Sequence, residues 1–453
     1  MSLNGNSGEI AVSSWMAAEP TSDGAVAVQS ERLAAMAPRP TELRDLGVGR
    51  ELLADLLSKH LLRVGRLRTG ALAERLALPG TVLQELLHHL RKEGRVEVQA
   101  GSAADGDLAY VLSERGRQLA REAMSRDAYV GPAPVPLNDY VRIVHQQTLR
   151  RAPFQRHAMR TAFSDVILDC DLIDRLGTAM GSGRAILLHG PAGSGKTFAA
   201  RRLERAMHGT VLIPYALLVN DSIIRLYDPM VHECVELVDD TSPLVLDAGI
   251  DSRYLCCERP VVYVGGELVG SMLEIERHET TGELRAPLQL KANNGMLIID
   301  DLGRQRIPAA QLLNRCIVPM EQHIDSFSVG GGTGFTAPFD AILVFTTNLT
   351  LSDIADEALL RRLGYKIAFG AVSPEQYRQI WEQACLALDL LFDKALVDFV
   401  IEELYPSQQL LMPCHPRDLL GLVADKRRYD GSSAAPDRGL IRWAWDIYFP
   451  QMR

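Results

Sequence analysis

The sequence predicts an α/β fold, a parallel sheet flanked by helices and closed by a C-terminal helical lid, with a small winged helix-turn-helix domain in front. Three observations predict it. Between residues 156 and 370, apolar strand-like runs alternate with helical patterns, as a parallel sheet requires. One of those runs, residues 185–189, leads directly into a glycine-rich loop and then a helix. Before residue 128 three helical patterns precede two short alternating strands, and after Pro374 the pattern is helical throughout.

The bulk numbers set the bounds. A chain of 453 residues with 47% hydrophobic and 23% charged residues is ordinary for a soluble protein of two or three domains. The net charge of −9 argues against a surface coated in basic residues for nucleic acid, though not against a local patch. The seven cysteines form no C-x-x-C pair, which points to a reducing compartment with free thiols rather than a disulfide or zinc framework. No apolar run reaches the roughly 18 residues of a membrane span, and no basic-then-apolar leader opens the chain. The expected location is cytoplasmic.

Taken in order, residues 1–48 are rich in Ser, Gly, Ala and Pro and are expected to be disordered, apart from a short helix at 30–36. Residues 49–127 form the small domain. Helices are expected at 51–62, 69–76 and 81–93, the last with Val82, Leu83, Leu86, Leu87 and Leu90 on one face. Strands at 95–99 and 108–112 flank a polar turn, and a helix at 113–124 closes the unit. The third helix carries His88, His89, Arg91 and Lys92, which suits DNA contact, but Glu85, Glu93 and Glu97 interrupt the basic face, which suits docking of a protein. Residues 128–155 read as a Pro-rich, extended linker. The α/β domain follows at 156–370 and the lid at 371–453.

Five motifs carry the chemistry. Gly190, Pro191, Ala192, Gly193, Ser194, Gly195, Lys196 and Thr197 spell a phosphate-binding loop between a strand and the helix that starts near Phe198. Its backbone N–H groups would cradle phosphates at a helix N-terminus, Lys196 would reach the β- and γ-phosphates, and Thr197 would hold Mg²⁺. The apolar run 295–299 ends in Asp300 and Asp301. Asp300 is expected to serve the metal and Asp301 to polarise the attacking water, and the strand is expected to lie next to the P-loop strand. A third apolar run, 341–345, ends in Thr346, Thr347 and Asn348, and Asn348 is positioned to orient that water. Arg361 and Arg362 end a helical stretch and suit an arginine finger given to a neighbouring subunit, Arg362 first. Finally Pro416 starts a helix with Arg417 in its first turn, where a cation opposes the helix dipole unless an anion such as a γ-phosphate compensates it.

In this order the five motifs resemble the AAA+ ATPases over residues 156–453: Walker A, Walker B, sensor 1, arginine finger and sensor 2 on a lid. The resemblance implies ATP and Mg²⁺ as cofactors, and a ring, often a hexamer, with ATP at subunit interfaces. It also implies that the segment before Walker A, here with Val166 and Ile167, lines the adenine pocket. The stretch 261–291 is similar to the helix-2 insert, and 326–338 to the hairpin before sensor 1, of MoxR-like and related groups. The G-A-F-T-G-A loop of enhancer-binding proteins is absent. With its winged helix, its Tyr129–Leu137 linker and its Asp300–Gln305 motif, the chain also resembles bacterial ATPases described as having chaperone activity associated with Flp pilus assembly. The leading expectation is a ring-forming ATPase that remodels a protein client. A DNA-acting ATPase using residues 49–127 and a slow signalling switch of the STAND type are the alternatives.

Overall fold

The computed structural model describes residues 30–99, 108–151, 154–235, 249–329, 333–354, 356–406, 409–432 and 434–450. The small domain runs α1 (Arg50–Val64), β1 (Arg66–Arg68), α2 (Thr69–Leu76), α3 (Gly80–Lys92), β2 (Val96–Gln99), β3 (Ala109–Leu112) and α4 (Glu114–Arg126). The leucines of α1, α2 and α3 recur at helical spacing and form one buried cluster. Strand β3 is central and pairs antiparallel with both β1 and β2. The sequence expectation had two strands. The third, β1, is three residues with only Leu67 buried, too short to show alternation.

Residues 30–36 are helical, as the spacing predicts. Residues 37–48 correct the expectation of disorder: together with Leu33 of that helix, Ala37, Leu43, Leu46 and Val48 are buried. The Arg39 N–H donates to Gly249 O at 2.9 Å and the Asp251 N–H to Ala37 O at 2.8 Å. A few spaced apolar residues suffice because they fill a seam between two bodies rather than form a core of their own. The rest of that expectation, residues 1–29, lies outside the described residues. The linker expectation is corrected too. Val135–Pro136 is extended, but Leu137–Gln146 is a helix whose Tyr140, Ile143 and Val144 are buried at i, i+3, i+4 spacing.

The α/β core contains β4 (Ile186–His189), α5 (Lys196–Arg202), β5 (Val261–Val264), β6 (Met296–Ile299), α6 (Ala309–Gln322), β7 (Ile342–Thr347) and β8 (Tyr365–Ala368). The sheet order is β5-β6-β7-β4-β8, all parallel. Every residue of β6 and β7 is buried, as expected for strands covered on both faces. One face packs Ile186, Leu188, Ile298 and Val344 against Ala199, Ala200 and Leu203. The other packs Leu187, Leu297, Ile299 and Phe345 against Leu312, Leu313 and Cys316. The β6 strand is therefore not adjacent to the P-loop strand, contrary to expectation. Strand β7 lies between them and hydrogen-bonds to both.

The long separation between α5 and β6 is filled mainly by strands. Thr210–Pro214 pairs with Tyr254–Glu258. The hairpin Ala216–Val219/Ser222–Arg225 is extended by Leu284–Arg285 on one side and by Val135–Pro136 on the other. Residues 261–264, expected to open an insertion, are the edge strand β5 of the core sheet instead. Their alternating Val side chains face the buried α6 side. Ile324–Val329 and Thr333–Pro338 form an antiparallel hairpin. The lid comprises α7 (Pro374–Ala387), α8 (Lys394–Phe399), α9 (His415–Asp430) and α10 (Arg438–Tyr448), packed around Tyr377, Trp381, Leu420, Ile441 and Trp445. A capping box between Ser373 and Gln376 fixes where it begins.

Candidate nucleotide site

The loop after β4 is shaped by three glycines with left-handed backbone: Gly190 (φ +142°), Gly193 (φ +76°) and Gly195 (φ +90°). A Cβ on Gly190 would overlap the carbonyl oxygen of Phe369, and one on Gly193 would overlap Cys414 Sγ. Pro191 and Ala192 form the exposed crest of the loop. Ser194 Oγ donates to Pro191 O at 2.9 Å. Lys196 is 5% exposed, and its ammonium donates to Gly190 O (3.0 Å) and Pro191 O (2.8 Å). Burial lowers its pKa below the ordinary lysine value, and Asp301 and Asp300 oppose that shift.

The parallel sheet brings the second and third motifs to this loop, because all the relevant strands end at the same edge. Thr197, at the start of α5, donates its hydroxyl to Asp300 Oδ1 at 2.8 Å. Thr346, at the end of β7, donates to the same oxygen. Tyr263 of β5 donates to Asp300 Oδ2. Burial raises the Asp300 pKa, but the hydroxyls of Thr346, Tyr263 and Thr197 outweigh it and hold the carboxyl below its ordinary value. Asp301 has a left-handed backbone (φ +52°). Its N–H donates to Thr346 Oγ1 at 3.0 Å, and Gln305 Nε2 braces the turn on Asp300 O (2.7 Å) and Asp301 O (3.2 Å). Asn348 Nδ2 donates to Asp301 Oδ1 at 3.0 Å.

Lys196, Thr197, Asp300, Asp301 and Asn348 are thus brought into one cluster. A hydroxyl and a carboxylate at 2.8 Å, with a second carboxylate beside them, are hard oxygen donors that fit Mg²⁺. The lid reaches the loop through Cys414, at the start of α9, and Met412. Arg417 sits in the first turn of α9 with its side chain exposed. Val166 and Ile167 are half-buried, and Val166 packs against the core on the P-loop-helix side. Around them Arg202 pairs with Asp165, Gln376 Nε2 donates to Asp169 Oδ1 at 2.7 Å, and Gln383 Nε2 donates to Asp165 O at 3.4 Å. Phe198 is 43% exposed beneath the Arg202 guanidinium.

The arginine pair is not part of the cluster. Arg361 is exposed, and Arg362 pairs with Glu321 of α6 at 2.7 Å. Among the described residues no hydrogen bond or ion pair joins either to the P-loop. Sequence reasoning missed Tyr263, Thr346 and Gln305. A tyrosine inside the run Val261-Val262-Tyr263-Val264 reads as core, and only the register of β5 on β6 reveals its neighbour.

Residues 373–447, the lid, match a family described as a domain of unknown function (DUF8689). No curated protein matches the chain. Among solved structures, NtrX from Brucella abortus is 12% identical over 73% of this chain, with a TM-score of 0.37. The chain spans 62% of the length of that NtrX chain. The Thermotoga maritima RuvB Holliday junction branch migration motor is 16% identical over 61% of this chain and 67% of its own, with a TM-score of 0.34. The fold assignment stands on the sheet and the P-loop: this chain has an α/β P-loop NTPase fold with a helical lid. Among the described residues no helix is long and apolar enough to cross a membrane.

Proposed function

We propose that the chain binds ATP with Mg²⁺ and hydrolyses it as one subunit of a ring-forming, AAA+-like remodelling ATPase. The observation that carries this reading is the convergence of Lys196, Thr197, Asp300, Asp301 and Asn348 at one sheet edge, beneath a lid whose helix α9 starts at the P-loop. Mg²⁺, held through Thr197 and Asp300, would supply neutralisation of phosphate charge. Lys196 would leave the loop carbonyls for the phosphates. Asp301, oriented by Asn348, would accept the proton of the attacking water. Val166 and Ile167 would contact the base, and Arg417 the γ-phosphate. Arg362, released from Glu321, would complete the site of a neighbouring subunit, with Arg361 beside it.

A protein client is favoured over DNA by the small domain. In a helix-turn-helix the N-terminal residues of the recognition helix read the bases. Here that end of α3 lies against the preceding segment and the start of α1: Thr81 Oγ1 donates to Thr41 O at 3.4 Å, and Glu85 pairs with Arg50 at 3.2 Å. His89 is engaged by Glu51 and Glu93, and Arg95 by Glu51, Asp55 and Glu93.

The test is a pair of variants. Lys196→Ala is expected to abolish ATP binding. Asp301→Asn is expected to keep binding while turnover falls by about 10²–10⁴-fold, the usual contribution of a general base. Parent-like turnover in both variants would refute the assignment.

A further inference from the structure

Three adjacent strands place three side chains in a row on one face of the sheet. Tyr263 of β5 is in register with Ile298 of β6, and Ile298 with Val344 of β7. Side chains two residues apart along a strand share a face. Asp300, two residues beyond Ile298, and Thr346, two beyond Val344, therefore lie on the face that carries Tyr263. That face is the one covered by the P-loop helix. Helix α5 closes over the row: the Arg201 guanidinium stands 4.1 Å from the centroid of the Tyr263 ring.

The two oxygens of Asp300 are served differently. Oδ1 accepts from Thr197 and Thr346, and Oδ2 accepts from Tyr263. Thr197 and Thr346 crowd the inner oxygen from the loop and from the neighbouring strand. Among the described side-chain donors only the tyrosine holds the outer one. A carboxylate fixed at one oxygen can still turn about its terminal torsion, which is broad. Fixed at both, it presents one orientation.

We propose that Tyr263 is a positioning residue that locks the Asp300 carboxylate so that its inner oxygen faces Thr197, and that Arg201 clamps the tyrosine ring in place by a cation–π contact. This rests on the reading of the cluster as an Mg²⁺-dependent nucleotide site. Tyr263 touches neither nucleotide nor the reacting atoms in this assignment. It acts through Asp300.

Tyr263→Phe removes the hydroxyl and keeps the ring, its packing and the cation–π contact with Arg201. The readout is binding of a fluorescent ADP analogue to the full chain, without metal and then titrated with Mg²⁺, alongside steady-state ATP turnover. Metal-free affinity is expected to be unchanged. The Mg²⁺ midpoint for the gain in affinity is expected to rise about tenfold, the scale of one lost hydrogen bond to a charged group. Turnover should fall in kcat at saturating ATP and limiting Mg²⁺, with KM for ATP within about twofold of the parent. Thr346→Val, which removes a different donor from the same carboxylate, should shift the Mg²⁺ midpoint in the same direction. A parent-like Mg²⁺ midpoint and kcat in Tyr263→Phe would overturn the proposal, as would a metal-free affinity loss equal to the loss with Mg²⁺. If Lys196→Ala binds the analogue as the parent does, the nucleotide-site reading fails, and the proposal fails with it for a separate and visible reason.

Discussion

At the scale of single residues, the site is built from short side chains at strand ends, where a one-atom change in reach matters. Asn348 is the clearest case. Its amide holds Asp301 Oδ1 at 3.0 Å, on a backbone held left-handed at φ +52°, a conformation that Asp tolerates better than most residues. Asn348→Ala is expected to lower kcat by about tenfold to a hundredfold while leaving ATP affinity near that of the parent, because it removes orientation of the proposed base, Asp301, and not a phosphate contact. Equilibrium binding and steady-state turnover on the same preparation check this. An equal loss in affinity would make Asn348 a ligand-binding group instead.

At the scale of elements, the glycines of the loop and the apolar strand faces carry different kinds of constraint. Gly190 is needed twice over. Its φ of +142° strains any side chain, and a Cβ there would overlap Phe369 O, at the end of β8. Gly190→Ala is expected to displace β8 from β4 and to weaken nucleotide binding at least tenfold by calorimetry. Ile298, fully buried between Tyr263 and Val344, tests the sheet itself. Ile298→Ala should cost about 2–5 kcal/mol by urea unfolding, from lost transfer energy and the cavity left behind. The two variants separate the loop from the sheet, since the second alters no atom of the P-loop.

At the scale of the whole molecule, buried polar groups tie the units together. Arg253 and Asp251 are 3% and 4% exposed and paired at 2.7 Å. The guanidinium also donates to Leu46 O (3.0 Å) and Pro134 O (3.1 Å), so one side chain joins the N-terminal segment, the former linker and the insertion. Arg253→Ala leaves a carboxylate buried without its partner and is expected to destabilise by about 3–5 kcal/mol, read as a shift in the first unfolding transition. Two buried histidines act at similar seams. His60 Nε2 lies 2.9 Å from Gly131 O. His232 Nδ1 accepts the Asp228 N–H at 3.0 Å while its Nε2 lies 2.9 Å from Lys291 O. The ring is therefore neutral, with its proton on Nε2. Burial pushes both imidazoles below their ordinary 6.5. A depressed folded-state pKa means that the unfolded chain takes up protons first as pH falls. The stability is complete above 6.5 and is lost as pH drops through the folded values. The melting temperature should fall between pH 7 and pH 5, and His232→Gln should flatten that slope.

The sequence alone determined the pieces whose signal is local. Glycines, a lysine and a threonine at fixed spacing, between an apolar run and a helical pattern, point to a phosphate loop, since the turns it needs are open to glycine. Apolar runs ending in Asp300-Asp301 and Thr346-Thr347-Asn348 marked strand ends, and helical spacing marked the small domain and the lid. Only the tertiary structure decided which strand lies beside which. Strand order is set by long-range pairing and packing, which leave no trace in the spacing of residues within one strand. That is why β7 intervenes between β4 and β6, why residues 261–264 belong to the core sheet, and why residues 30–48, polar on average, are anchored by a few leucines. Tyr263 shows the same limit at the site itself. Its role follows from a register with Ile298, 35 positions along the numbering (298 − 263), and register is a property of two strands together.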